Sequence, residues 1–180
     1  MTNSSKLKKL IDQYRQEYML TFCVSPKKYT ACHLKDPKGC KQLEDCVRMG
    51  KNHHHKRMTE STIQQTITAL KNSNLLKQRF LNFEDLFDYV NNCIRGIVGI
   101  GQLAVYDISV RIGKYLCSPS IEPRDYVYLQ QGALDGANKL LGANPKMKEC
   151  RYPITIFPAE LQKLGSFHIE NFLCVMKNML

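Results

Sequence analysis

Two glycines flank a single isoleucine near the middle of this 180-residue chain, at Gly99, Ile100 and Gly101. Glycine adopts backbone conformations that other residues avoid, and it leaves neighbouring amides uncovered by a side chain. Helical periodicity follows from Gln102 onward, so the amides of Gly99 through Leu103 are expected at a helix N-terminus. Amides in that position bind phosphate groups. The segment therefore predicts an anion-binding turn.

Apolar residues on both sides of the turn complete the pattern: Ile94, Ile97, Leu103, Ala104 and Ile108. The segment 94–108 resembles the helix-hairpin-helix motif, in which two short helices flank a turn of the form apolar–x–Gly–apolar–Gly. The resemblance implies that Ile100 points inward and that the turn contacts a nucleic-acid backbone without reading base sequence. Proteins with this motif often have Lys or Arg two positions after the second glycine. This chain has Leu103 there, next to Gln102, which can hydrogen-bond a phosphate.

Basic residues near the hairpin would supply the missing charge. Arg95, Arg111 and Lys114 flank it in the sequence, and Lys56 and Arg57 follow a run of three histidines. A solvated turn is an equally good interpretation of that run. The predicted DNA contacts are Gly99, Ile100, Gly101, Gln102, Leu103, Arg95, Arg111, Lys114, Lys56 and Arg57.

Asp125 suggests an enzymatic alternative. It lies 24 residues after Gly101, and Leu141-Gly142 ends the periodic segment that follows. This layout is similar to that of DNA glycosylases of the helix-hairpin-helix superfamily, which implies a glycosylase or lyase with Asp125 as the catalytic acid. However, no His stands beside the acid, and no lysine nucleophile stands at the hairpin's helix start. Asp125 is therefore expected to cap a helix over 126–141 instead, and a binding protein is favoured over an enzyme.

Cysteines and histidines in an irregular basic segment raise the possibility of a metal site. The candidate ligands are Cys32, Cys40, Cys46 and His53. Seven residues separate the first two cysteines and five the next two, which does not match the short Cys-x2–4-Cys spacing of zinc knuckles. Ordinary cysteines beside a solvated histidine run are favoured over a structural metal. No cofactor is predicted.

Hydrophobic periodicity along the chain indicates helices almost everywhere. Helices are predicted over about 5–21, 39–48, 60–72, 102–116, 126–141 and 158–164, with one more capped by Asn82 and a last one beginning at Gly165-Ser166. Only Tyr152–Phe157 is typical of a strand. The predicted fold is all-α: a single compact domain over 1–180, with an irregular basic part at 1–58 and a helical core at 59–180 that contains the hairpin.

Composition agrees with a soluble protein that has a polyanionic partner. Lys and Arg number 26 against 16 Asp and Glu, a net charge of +10. Residues 1–60 carry 13 basic and 6 acidic side chains, so the surplus is concentrated there. No apolar run approaches the ~18 residues of a membrane span, and the N-terminus lacks the apolar core of a secretion signal. The eight cysteines are expected to be reduced, in a cytoplasmic protein.

The function predicted from these features is DNA binding without sequence specificity, through backbone phosphates. Two alternatives remain: the repair-type glycosylase or lyase, and a helical module that binds an acidic protein and uses Gly-Ile-Gly only for close helix packing. The order of the Gly-Ile-Gly helix and the Asp-Tyr-Val-Tyr-Leu segment also resembles a class of small, uncharacterised bacterial or phage proteins. That resemblance implies no activity.

Overall fold

A computed structural model describes residues 4–20, 40–48, 58–142, 147–148 and 150–180. Most of these residues are helical, so the all-α prediction is confirmed. The helices are α1 (Ser4–Tyr14), α2 (Leu43–Arg48), α3 (Glu60–Asn72), α4 (Phe83–Ile94), α5 (Gln102–Tyr115), α6 (Gln131–Leu141), α7 (Ala159–Gln162) and α8 (Ser166–Met176). Two short strands, β1 (Tyr126–Leu129) and β2 (Cys150–Pro153), pair with each other.

The chain divides into two compact units. The first contains the described residues before position 32 and after position 122, and the second contains those between. The sequence predicted one domain with a change of character near residue 58. The second unit extends across that position because α2 packs on both α3 and α5.

In its described residues, the second unit contains the four helices α2 to α5, and α3 and α4 begin at side-chain caps. Thr59 accepts a hydrogen bond from the Thr62 amide (3.2 Å), and Asn82 accepts one from the Asp85 amide (2.8 Å), so both helices begin at a side-chain cap. The cap predicted at Asn82 is confirmed. Apolar stripes of α3, α4 and α5 meet in the interior of this unit. Its fully buried apolar residues include Ile63, Leu70, Leu86, Val90, Ile94, Ile108 and Ile112.

The first unit surrounds its own core with α1, the strand pair, α6, α7 and α8. Its core contains Leu7, Leu10, Ile11, Tyr14, Val127, Leu129, Ala137, Leu161, Phe172 and Leu173, among others. Tyr14 connects α1 to α8. Its hydroxyl accepts a hydrogen bond from Asn171 Nδ2 (2.9 Å) and lies 3.2 Å from His168 Nδ1. Burial raises the pKa of this hydroxyl, so it stays protonated.

The helix predicted over 126–141 is wrong in its first turn. Residues 126–129 form β1, which is antiparallel to β2 with Val127 opposite Tyr152, and α6 begins only at Gln131. Tyr-Val-Tyr-Leu is rich in aromatic and branched residues that favour strands, and its partner lies more than twenty residues further along the chain. The predicted end of the helix is confirmed, since Gly142 caps it with a φ of 58°.

A π-helical turn at Arg15–Leu20 follows α1, within the helix predicted over 5–21. Among the described residues, 3-10 turns lie at Leu75–Lys77 and Ile154–Ile156. No helix in the described part of the chain is both long and apolar enough to cross a bilayer.

Candidate functional site

The connection between α4 and α5 consists of two successive tight turns. The Ile97 amide donates to the Ile94 carbonyl, and the Ile100 amide donates to the Ile97 carbonyl, both at 3.0 Å. Gly99 has a φ of 91°, a conformation that side chains other than glycine rarely adopt. The turn between α4 and α5 therefore favours glycine at position 99, because of this positive φ.

Gly101 has a different role from Gly99. Its φ of −103° and ψ of 173° are open to any residue, and a Cβ built there would meet nothing within 4 Å. The conformational freedom of glycine is therefore used at Gly99 and not at Gly101. Neither its backbone angles nor its neighbours demand glycine, so its effect is to leave the start of α5 uncovered.

The first amides of α5 have no side-chain cap. Gly101 occupies the N-cap position, and the first amide to bond back along the helix is that of Val105, to the Gly101 carbonyl at 3.1 Å. The amides of Gln102 and Leu103 precede that bond and gain no partner from the helix itself. Gly101 and Gln102 are exposed. With 14 residues, α5 also has a positive dipole end at this point.

The apolar residues of the hairpin are buried to different extents. Ile94, Ala104 and Ile108 are buried. Ile97, Ile100 and Leu103 are half-buried, so Ile100 does not point fully into the core as the motif implies. Val98, one residue before Gly99, is 88% exposed.

Thr62 on α3 holds the hairpin from the side. Its hydroxyl donates to the Val98 carbonyl at 3.0 Å. A Cβ at Gly99 would lie 3.2 Å from the Oγ1 atom of Thr62. The sequence analysis did not identify Thr62. The available signal was a threonine next to the apolar stripe of α3, where a polar group needs a partner.

The basic residues predicted to flank the hairpin differ in their exposure and in their distance from the turn. Arg95 is exposed and caps the C-terminal end of α4, directly before the turns. Lys114 is half-buried with its ammonium 6.0 Å from the centre of the Tyr115 ring. It lies twelve residues along α5 from Gln102, roughly 18 Å at 1.5 Å per residue. Only Arg95 of these two is next to the turn.

The prediction that Arg111 contacts DNA is wrong, because its side chain is completely buried. Its Nη1 donates to the Cys46 carbonyl at 3.0 Å, and its Nη2 lies 3.5 Å from Asp107 Oδ2. The α5 helix buries every residue from Ala104 to Gly113, so this stretch has no solvent-facing side. The guanidinium therefore ties α5 to α2 inside the second unit.

Asp125 does not cap a helix, because it directly precedes β1, and α6 has Gln130 at its N-cap. Its side chain is exposed, and its carbonyl accepts from the Ile154 amide at 2.8 Å, which extends the strand pairing. Asp125 belongs to the first unit and the hairpin to the second.

Cys40 and Cys46 are both buried, and both are free thiols. A hydrogen bond with the Cys40 thiol and burial together raise the pKa of Cys46. Among the described residues, no three Cys, His, Asp or Glu side chains converge as a metal site would require. The other sequence candidates, Cys32 and His53 for metal and Lys56 and Arg57 for DNA, lie outside the described residues.

Comparison with known proteins found no match: no family model, no curated protein and no solved structure is similar to this chain.

Proposed function

We propose that this protein binds DNA through the uncovered start of α5, by contact with backbone phosphates and without reading base sequence. The observation that carries the proposal is the exposed, uncapped turn at Gly101 and Gln102, where α5 presents amides and the positive end of its dipole. A phosphate oxygen is the kind of acceptor that such a helix start takes. Hydrogen bonds of this type go to the backbone of a nucleic acid, not to its base edges.

Charge supports a polyanion as the ligand. The chain carries a net charge of +10. Arg95 is exposed beside the turn, and Thr62 joins the first turn of α3 to the hairpin. In the sequence, Lys56 and Arg57 come just before Thr59, the N-cap of that helix.

The expected binding is weak and depends strongly on salt. Each phosphate neutralised by a protein cation releases counterions, so log K falls with a slope of about −0.9 per contact against log salt. Two to three such contacts predict a loss of roughly 10- to 40-fold in affinity between 50 and 200 mM salt. Duplexes of unrelated sequence should bind equally.

Gly101→Asp tests the proposal without removing a structural contact. Aspartate is a good N-cap, and position 101 has open space and ordinary backbone angles, so we expect stability to be kept or slightly raised. The new carboxylate takes the same amides and repels phosphate. We expect at least ten-fold weaker binding at 100 mM salt in a fluorescence-anisotropy titration with a random-sequence duplex.

Ser120→Asp is the matched control, because it makes the same charge change at an exposed position beyond the other end of α5. We expect its affinity to stay within about three-fold of the wild type. Equal affinity of Gly101→Asp and Ser120→Asp would contradict the proposal, as would wild-type binding that does not change with salt.

A further inference from the structure

Val98 places an apolar side chain in solvent, close to the uncovered start of α5. Its exposed fraction is 88%. The glycines at positions 96, 99 and 101 are also exposed, and they add no side chain that could cover it. Tight turns usually have glycine or small polar residues at such positions, because those residues favour the turn conformation. The turn itself therefore gives no reason for an exposed valine.

The hairpin holds the backbone of Val98 in place. The Val98 carbonyl accepts a hydrogen bond from the Thr62 hydroxyl at 3.0 Å. The Ile100 amide donates to the Ile97 carbonyl at 3.0 Å, which closes the turn around Val98. Valine is also stiff at χ1, because its Cβ is branched. A side chain that is already ordered loses little conformational entropy when a ligand covers it, so Val98 is preorganised for an apolar contact.

The surroundings of Val98 combine apolar surface with positive charge. Three half-buried apolar side chains belong to the same hairpin: Ile97, Ile100 and Leu103. Residues 89–106 include no Asp or Glu, and Arg95 is exposed. In the first turn of α3, Glu60 is paired with the Arg48 guanidinium at 2.8 Å. A fitting ligand therefore carries negative charge and an apolar group side by side.

A nucleic-acid strand has this combination, because a sugar adjoins every phosphate. Val98 lies four residues before Gln102, so their Cα atoms are at most about 14 Å apart, and the turn shortens this distance. The two sugars differ at one position, since ribose carries a 2′-hydroxyl that deoxyribose lacks. A hydroxyl pressed against valine loses water and gains no hydrogen bond, which is unfavourable. Deoxyribose has no such penalty.

We propose that Val98 packs against the sugar next to the bound phosphate, and that this contact makes the protein select DNA over RNA. The inference rests on the phosphate contact proposed above and adds the residue that distinguishes the two sugars. Exposed amides and Arg95 bind the phosphates of either nucleic acid. Apolar packing neutralises no phosphate, so Val98 contributes to affinity without changing the dependence of log K on log salt.

Val98→Ser tests the selection, because serine is small and its hydroxyl can hydrogen-bond a 2′-hydroxyl. We expect the wild-type protein to bind a DNA duplex about five-fold more tightly than an RNA duplex of the same sequence, measured by fluorescence anisotropy at several salt concentrations. In Val98→Ser this ratio should fall below about two-fold, with an unchanged salt slope for DNA. The different shapes of the two duplexes affect both proteins equally, so the change in the ratio reports on position 98.

Leu81→Ser is the matched control. Leu81 is 95% exposed and lies before α4, at the other end of that helix from the hairpin. This variant should keep the wild-type ratio of DNA to RNA affinity. Circular dichroism should show unchanged helix content in both variants, because neither side chain belongs to a core.

Three results would overturn the inference. They are equal binding of DNA and RNA by the wild type, an unchanged ratio in Val98→Ser, and loss of the ratio in Leu81→Ser as well. The proposed phosphate contact would still stand in each case if Gly101→Asp weakens DNA binding and Ser120→Asp does not. Absence of salt-dependent binding to either duplex would instead contradict the phosphate contact itself, and the sugar contact with it.

Discussion

Arg111 shows how the interior decides the role of a single side chain. A lone arginine near a basic hairpin is expected to face solvent, since charged residues are seldom fully buried without a partner. Here Asp107, one helical turn earlier, supplies that partner, and the Cys46 carbonyl accepts from the guanidinium. The i, i+4 spacing of the two residues is visible in the sequence, but their burial is not.

Gly113 is the residue for which the structure predicts the clearest effect on stability. A Cβ there would lie 2.2 Å from the Ile121 carbonyl oxygen and 3.0 Å from Leu86 Cδ2. Alanine gains about 1 kcal/mol in helix propensity, but overpacking against backbone costs roughly 1–3 kcal/mol or more. We expect Gly113→Ala to lower the free energy of unfolding by about 1–2 kcal/mol, measured by urea denaturation.

Gly96→Ala is the control for that substitution within the same unit. A Cβ at Gly96 meets nothing within 4 Å. Its effect should therefore stay within about 0.5 kcal/mol. Equal stability of the two alanine variants would mean that α5 and Ile121 are not packed as closely as described.

At the scale of elements, the hairpin is built locally but held by a distant helix. Its two turns involve residues 94–100 alone, whereas the hydrogen bond from Thr62 to the Val98 carbonyl joins residues 36 positions apart. A shift of this connection would also move the uncovered amides at the start of α5. The orientation of the hairpin therefore depends on α3.

Thr62→Val tests this dependence, because valine keeps the shape of threonine and removes the hydroxyl. We expect a loss of about 0.5–1.5 kcal/mol in unfolding free energy, together with faster hydrogen exchange of the amides at 97–101. Thr66→Val is the control, since the Thr66 hydroxyl donates only to the Thr62 carbonyl of its own helix. If both variants accelerate exchange at 97–101 equally, the Thr62 contact is not what holds the hairpin.

We expect the contact between α2 and α3 to contribute less to the free energy of unfolding at acid pH. Glu44 is hydrogen-bonded to the Lys71 ammonium, which lowers the pKa of this carboxyl below its ordinary value. As pH falls, Glu44 is therefore protonated in the unfolded chain at a higher pH than in the folded protein. The Glu44–Lys71 pair stabilises the fold above the ordinary carboxyl pKa, and this contribution is lost as pH falls through the lower pKa of Glu44 in the folded state. The pair is exposed, so the effect is small.

We therefore expect Glu44→Gln to be less stable than the wild type near neutral pH and to lose less stability between about pH 7 and pH 3. Urea midpoints across this range provide the measurement. Glu122→Gln is a control for loss of one exposed carboxylate. Parallel pH profiles for the wild type and Glu44→Gln would show that Lys71 does not stabilise the ionised carboxyl.

At the scale of the whole molecule, the two units differ in how the chain forms them. The second unit is one continuous segment, with the hairpin and its own buried apolar residues inside it. The first unit needs two segments that are far apart in the sequence, because Leu7, Leu10, Ile11 and Tyr14 of α1 complete its core. A continuous unit can form its core without the rest of the chain.

Fragment 32–122 should therefore fold alone, with helical circular dichroism and a cooperative thermal transition, and bind a random-sequence duplex within about three-fold of the full chain. Fragment 123–180 lacks α1 and should show no cooperative transition. Adding α1 as a peptide over residues 1–31 should restore it. A cooperative transition of 123–180 by itself would contradict the role assigned to α1.

Local sequence was sufficient wherever a structural feature depends on neighbours in the chain. The caps at Asn82 and Gly142, the ends of α3 and the turn between α4 and α5 all follow from short-range hydrogen bonds and backbone preferences, which residue types reveal. Features that depend on contacts between residues far apart in the chain were not predicted from the sequence. The pairing of residues 126–129 with 150–153, the hydrogen bond from Thr62 and the meeting of Arg111 with Cys46 each join residues that periodicity treats separately. Burial belongs to the packed molecule, so only the tertiary structure could distinguish an arginine on the surface from one in the core.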